Sequence, residues 1–255
     1  MPVTLAHPAA VLPLRRLGLP LSAMVIGSMA PDLPVFSQSW GIYGFTHSVL
    51  GILTVDLALT LVLLGFWDFL GRDALVDTAP SLVRNRLPAT HRIGRSAWLL
   101  APLAAVVGSI THVVWDAFTH EGRWGTRLIP WLTEQQGPLR GGQWAQYGSG
   151  VFGLLVIGLA LLAVVRRPVL DDAPPTRRLP AATLGAAFAV ASLISVGTFL
   201  FLLEGGFHSA AFYAAVVGIL ALAAAVAAVT VAWCLSDPGA PATPPAPSST
   251  TSTSA

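Results

Sequence analysis

The sequence predicts an all-α integral membrane helix bundle with about five spanning helices and an N-terminal interfacial segment. Three observations carry this. The 255-residue chain is 54% hydrophobic, with a mean hydropathy of +0.70. Only 10% of its residues are charged, against roughly 25% in soluble domains. Its apolar stretches approach or exceed the 20 or so residues that a spanning helix needs, and short arginine-bearing loops separate them.

The elements follow in chain order. No secretory signal peptide is evident, because the start lacks a charged region and Pro20 interrupts the apolar stretch Leu17–Ala30. Leu17–Leu33 is too short and proline-broken to span, so a half-inserted or interfacial segment is expected. Five stretches then qualify as spans: Val49–Trp67, Ala97–Ala117, Tyr147–Val165, Ala182–Leu203 and Ser209–Leu235. The last two carry no charge. The first two contain Asp56 and Asp116, which need a reason to be there, since ionisable groups inside a span are costly. From Asp237 onward the Pro/Ser/Thr/Ala-rich tail has nothing to bury and is expected to be disordered. Three regions result: 1–165 with the chemistry, 166–236 with two further spans, and the tail 237–255.

The 14 basic residues are all arginine, against 12 acids. A net charge of +2 gives no argument for nucleic acid. An up-and-down path collects nine arginines on one side, from the loops at 72–95 and 166–178, and five on the other. The excess places the nine-arginine side and the C-terminus in the cytoplasm. The single cysteine, Cys234, excludes an internal disulfide and a Cys-based zinc site.

Polar residues gather on the opposite side. His7, His47, His112, His120 and His208 map there, as does Asp32 in the turn Met29-Ala30-Pro31-Asp32-Leu33-Pro34; only His91 lies in an arginine-rich loop. The run THVVWDAFTH has the spacing His112-x-x-x-Asp116-x-x-x-His120. Steps of four along a helix offset successive residues by about 40° and about 6 Å. Asp116 can therefore share one ion with His112 and another with His120, whereas the two histidines are too far apart to share one. Imidazole with carboxylate suits zinc, or manganese. Plainer roles compete: Asp32 as a turn or cap residue, His47 in the cap of the first span, and Asp56 as a buried partner for Thr, Arg or a ligand histidine. His208 with Glu204 flanks Gly205-Gly206 and reads as a short outer turn. Arg123, Arg127 and Arg140, in the loop after His120, could receive an anionic headgroup or anchor at the interface.

Five blocks in order, TLAHPAAVLPLRR, LPLSAMVIGSMAPDLP, FTHSVLG, GSITHVVWDAFTH and QYGSGVFG, resemble the bacterial membrane family catalogued as domain of unknown function 4184. That family is similar to the wider group of membrane-bound metal-dependent hydrolases, with the pattern His … Pro-Asp … Thr-His … His-x-x-x-Asp. The ligand order is also similar to that of the zinc-dependent phospholipase C and single-strand nuclease superfamily. The resemblance implies metal ligation by His7, Asp32, His47, His112 and Asp116, with Asp116 bridging and His120 near a further ligand position. This chain starts Met1-Pro2 and has no downstream His-x-x-x-Asp pair, so the resemblance extends to one or two ions rather than three.

Two function classes follow. One is a metal-dependent hydrolase acting on a phospholipid or other membrane-anchored phosphoester at the outer interface. The other is non-catalytic: a transporter, or a scaffold stabilised by a divalent cation. A bundle held by polar contacts alone leaves the gathering of histidines and aspartates unexplained.

Overall fold

A computed structural model describes residues 4–171 and 175–236; the tail expected from Asp237 onward lies outside the described residues. Five helices are long and apolar enough to cross a membrane. They are the first span Val49–Thr78, the second Arg95–Thr119, the third Gly141–Val165, the fourth Thr183–Gly205 and the fifth Phe207–Leu235.

The first span runs well past the expected end at Trp67, because the acids beyond that point are matched. Asp68 accepts from the Ile93 amide at 2.8 Å and the Trp98 indole at 3.0 Å. Asp73 pairs with Arg72 and Arg92 at 2.8 and 2.6 Å. Asp77 accepts from Arg84 at 3.1 Å, the Arg178 amide at 2.9 Å and the Trp233 indole at 3.1 Å. Arg86 reaches the Arg167 carbonyl at 2.8 Å, and the Leu170 amide the Asn85 carbonyl at 2.9 Å. These bonds gather the two arginine-rich loops at one end of the bundle, as the up-and-down path requires.

Two π-helical turns, Ile52–Asp56 and Trp67–Gly71, interrupt the first span. Such turns shift the register of the helix face and often lie near functional sites. The Leu17–Leu33 segment contains a short helix, Leu21–Gly27, which packs on the second span rather than lying apart from the bundle. Here Gly27 and Gly108 allow backbones to touch. A Cβ on Gly27 would stand 2.4 Å from the Ala105 carbonyl oxygen, and one on Gly108 2.3 Å from that of Met24. The core around this contact is Val11, Ala23, Met24, Leu64, Ala101 and Ala104. Small residues at such crossings are the usual means of close helix approach in membranes, where lipid leaves no hydrophobic drive between helices. The fourth and fifth spans form a hairpin that packs chiefly on itself.

Candidate metal centre

Four chain segments meet beside the Gly27–Gly108 crossing. The turn Ala30–Asp32, which follows the Leu21–Gly27 helix, carries Asp32. The helix Trp40–Thr46 ends at His47, and the Thr46 hydroxyl donates to the Pro31 carbonyl at 2.8 Å, locking the Thr-His and Pro-Asp turns together. His47 does not cap the first span; Ser48 does, accepting from the Gly51 amide at 3.1 Å. The second span supplies His112 and Asp116, both buried. The N-terminal turn brings His7, which is 4% exposed.

The two central imidazoles are held in the same way. His112 Nδ1 lies 2.8 Å from the Ser28 carbonyl, and His47 Nδ1 lies 2.9 Å from the Tyr43 carbonyl. A carbonyl only accepts, so each Nδ1 carries a proton and each Nε2 is turned inward, where in the neutral ring its lone pair is free to meet a cation. Such a bond from the far nitrogen is what orients most metal-binding histidines. His112 Nε2 is 3.5 Å from Asp32 Oδ1 and 3.4 Å from Asp116 Oδ2; His47 Nε2 is 3.9 and 3.4 Å from the same two atoms. One ligand atom from each of Asp32, His47, His112 and Asp116 lies within 4.8 Å of the other three.

Those four atoms, His47 Nε2, His112 Nε2, Asp32 Oδ1 and Asp116 Oδ2, are buried and have no hydrogen-bond partner among the described residues. Buried acceptors without donors are expensive. Four facing one another also repel. A divalent cation is the group that would satisfy all four at once, and two imidazoles with two carboxylates form a donor set suited to zinc or manganese. The residues fit a metal.

Asp116 has a second side. Its Oδ1 lies 3.5 Å from His7 Nε2 and 3.3 Å from His120 Nδ1. The His7 ring stacks on His112, with centroids 3.8 Å apart. Burial, and then the neighbouring His112, push the His7 imidazole down to about 3, although Asp116 and Asp32 pull the other way. For Asp32, burial works to raise the carboxyl, but His112 beside it outweighs this and holds it below its ordinary value. The Asp32 Oδ2 atom also accepts a 2.6 Å bond from the Thr4 hydroxyl. His120 is at the mouth, 22% exposed at its side chain, with Nε2 2.9 Å from the Gln146 amide nitrogen.

The structure thus brings together His7, Asp32, His47, His112, Asp116 and His120. It separates the arginines. Arg123 lies over the Tyr43 ring at 5.6 Å, and that ring is 4.2 Å from His47. Arg127 instead donates to the Gly122 carbonyl at 2.8 Å, and Arg140 pairs with Glu121. His208 stays outside the cluster, 3.2 Å from the Tyr147 hydroxyl. Asp56 is fully buried, but neither of its oxygens has a hydrogen-bond partner among the described residues, so the expected Thr, Arg or His partner is not found there.

Sequence reasoning missed Thr4, Ser28 and Tyr43. Two of them act through backbone carbonyls, which any residue type could supply. Tyr43 was legible only through its place four residues before His47, one turn away on a helix.

Comparison with known proteins returns one family: the model described as Domain of unknown function (DUF4184) matches residues 1–234. No curated protein and no solved structure matches the chain.

Proposed function

The chain belongs to the DUF4184 family, and from that premise we propose that it is a membrane-embedded, metal-dependent hydrolase of phosphoester or lipid-linked substrates. The observation that carries the reading is the convergence of four buried, mutually facing acceptor atoms on Asp32, His47, His112 and Asp116. The resemblance to membrane-bound metal-dependent hydrolases supports it, since the same residues stand at the matching motif positions.

Asp32, His47, His112 and Asp116 would hold the divalent cation, zinc or manganese. When bound, it supplies a Lewis acid that polarises a substrate oxygen and lowers the pKa of water from 15.7 towards about 7. The protein's own groups do the rest. The Ser28 and Tyr43 carbonyls fix both imidazoles before substrate arrives, so no ligand needs to reorganise. Thr4 holds Asp32 in place through its other oxygen. His120, partly exposed beside Asp116 Oδ1, is placed to pass protons between the site and water. Arg123, beside Tyr43 at the mouth, is placed to meet an anionic headgroup, whereas Arg127 and Arg140 are turned to local partners. The arginine excess puts this mouth on the extracytoplasmic side and the C-terminal tail in the cytoplasm.

The test uses purified protein and a panel of chromogenic phosphomonoesters, phosphodiesters and phospholipids. Turnover that a chelator abolishes and zinc or manganese restores supports the reading. Stoichiometric metal with no turnover on any class would sink it.

One observation favours a second reading. Asp56 and Thr60, one turn apart in the first span, are both buried without a hydrogen-bond partner among the described residues. Intramembrane acids of this kind mark ion or proton paths, so a transporter using the same bundle is the alternative. Proton-coupled or cation flux in liposomes, lost in Asp56→Asn, would favour it.

A further inference from the structure

Beside the metal centre is a recess that the hydrolytic reading has not used. It lies between the third span and the hairpin of the fourth and fifth spans, with a volume of about 350 Å³. This is within the roughly 300–1,000 Å³ range of sites that hold small molecules. Thr4, Leu5, Leu154, Phe188, Ile219 and Leu222 are on its walls. The recess exists because the hairpin packs chiefly on itself and leaves the third span unclosed along that side. Small side chains leave room in it: Ala191, Ser195, Ala215 and Gly218 also line it.

Two of its three hydroxyls are already engaged, and the third, on Ser192, is at an exposed position. The Ser195 hydroxyl donates to the Ala214 carbonyl at 2.9 Å. The Thr4 hydroxyl donates to Asp32 at 2.6 Å. Hydrocarbon is therefore the occupant the walls accept, and all of the lining but Thr4 and Leu5 comes from three helices apolar enough to lie in hydrocarbon themselves. One wall is shared with the metal centre. Thr4 lines the recess and at the same time holds a candidate ligand, and His7 follows three residues later.

We infer that this recess seats one acyl chain of a bilayer phospholipid, presenting its headgroup phosphoester to the Asp32–His47–His112–Asp116 centre. The inference rests on the hydrolase reading for the second half of that statement only. Seating of the chain needs no metal. It gives the substrate class a physical basis: a phospholipid is bound laterally from the bilayer, with its chain still in an apolar environment, so little hydrophobic transfer energy is lost on binding.

The experiment uses the full chain in nanodiscs of phosphatidylcholine that carries a photoactivatable diazirine midway along one acyl chain. Cross-links are mapped by peptide mass spectrometry. Phe188, Ile219 and Leu222 are expected to label severalfold more than Leu193 and Phe201, which face out at 71% and 86% exposure. Ala215→Trp, at an exposed position on the recess wall, is expected to lower that labelling severalfold. Leu220→Trp, on the same helix outside the recess, leaves it unchanged. Equal labelling on all outward residues, which is annular lipid only, overturns the inference; so does labelling that Ala215→Trp fails to reduce. A chelated sample runs in parallel. Selective labelling without any metal-dependent turnover leaves the chain site standing and removes the hydrolase; turnover with uniform labelling does the reverse.

Discussion

Asp116 Oδ2 stands 3.4 Å from His47 Nε2, although the two residues come from different helices and neither atom has a hydrogen-bond partner among the described residues. A buried carboxylate oxygen and an imidazole lone pair that face each other are satisfied together when a cation comes between them. The surrounding structure spends several bonds on keeping them so. The predictions below follow from which bonds those are.

Thr4 supplies a hydroxyl donor to Asp32 Oδ2. Thr4→Val keeps the shape and removes the hydroxyl, leaving Oδ2 of a buried carboxylate unpaired. Loss of an outer partner of this kind costs about 10- to 100-fold in metal affinity. Competition against a chelator of known affinity is expected to show that drop, with the helical circular dichroism unchanged.

The Gly27–Gly108 crossing positions the Ser28 carbonyl that orients His112. Gly108→Ala would place a methyl 2.3 Å from the Met24 carbonyl oxygen and force the helices apart. Overpacking of this type costs about 1–3 kcal/mol. Thermal unfolding in detergent is expected to show the loss, and metal affinity should fall with it because the His112 tether moves. Unchanged affinity in a destabilised variant would separate the crossing from the site.

Acid should loosen the metal-free protein through His7. Its folded imidazole takes a proton only near pH 3, while the unfolded one does so at 6.5. Between these values the unfolded state binds a proton that the folded state refuses, so stability rises with pH there and falls as pH drops from 6.5 towards 3. Melting temperatures of chelated protein across that window are expected to decline, and His7→Gln should flatten the part of the slope due to this residue. A slope of the opposite sign would mean the ring is charged in the fold.

Asp77 tests fold and site separately. It accepts from Arg84, the Arg178 amide and the Trp233 indole at the end of the bundle away from the metal centre. Asp77→Leu strands the buried Arg84 guanidinium, and breaking such a pair costs about 3–5 kcal/mol. The expected outcome is a lower melting temperature with metal stoichiometry retained.

The bundle was legible because hydropathy alone marks a span, and all five were found within a few residues at most ends. Two ends differ more: the third span starts at Gly141 rather than Tyr147, and the first runs on past Trp67. The first span continues to Thr78 because Asp68, Asp73 and Asp77 each meet donors from elsewhere in the chain, and hydropathy cannot see a partner. The four residues grouped at the centre were readable from local patterns: Pro31-Asp32, Thr46-His47 and the i,i+4 pair His112 and Asp116. What held them was not. The Ser28 and Tyr43 carbonyls carry no sequence signature, and Thr4 acts across the fold. Asp56 was recognised as buried, but the partner expected for it does not follow from a sequence lacking three-dimensional contacts.

The central claim is that Asp32, His47, His112 and Asp116 bind a divalent cation, and metal content tests it most directly. Inductively coupled plasma mass spectrometry on the purified protein, beside the His112→Ala, Asp116→Ala double variant, is the measurement. Zinc or manganese near one or two ions per chain in the native protein, and essentially none in a variant of unchanged helicity, is the predicted result. Native protein that carries no divalent metal, even after incubation with zinc and manganese, would contradict it.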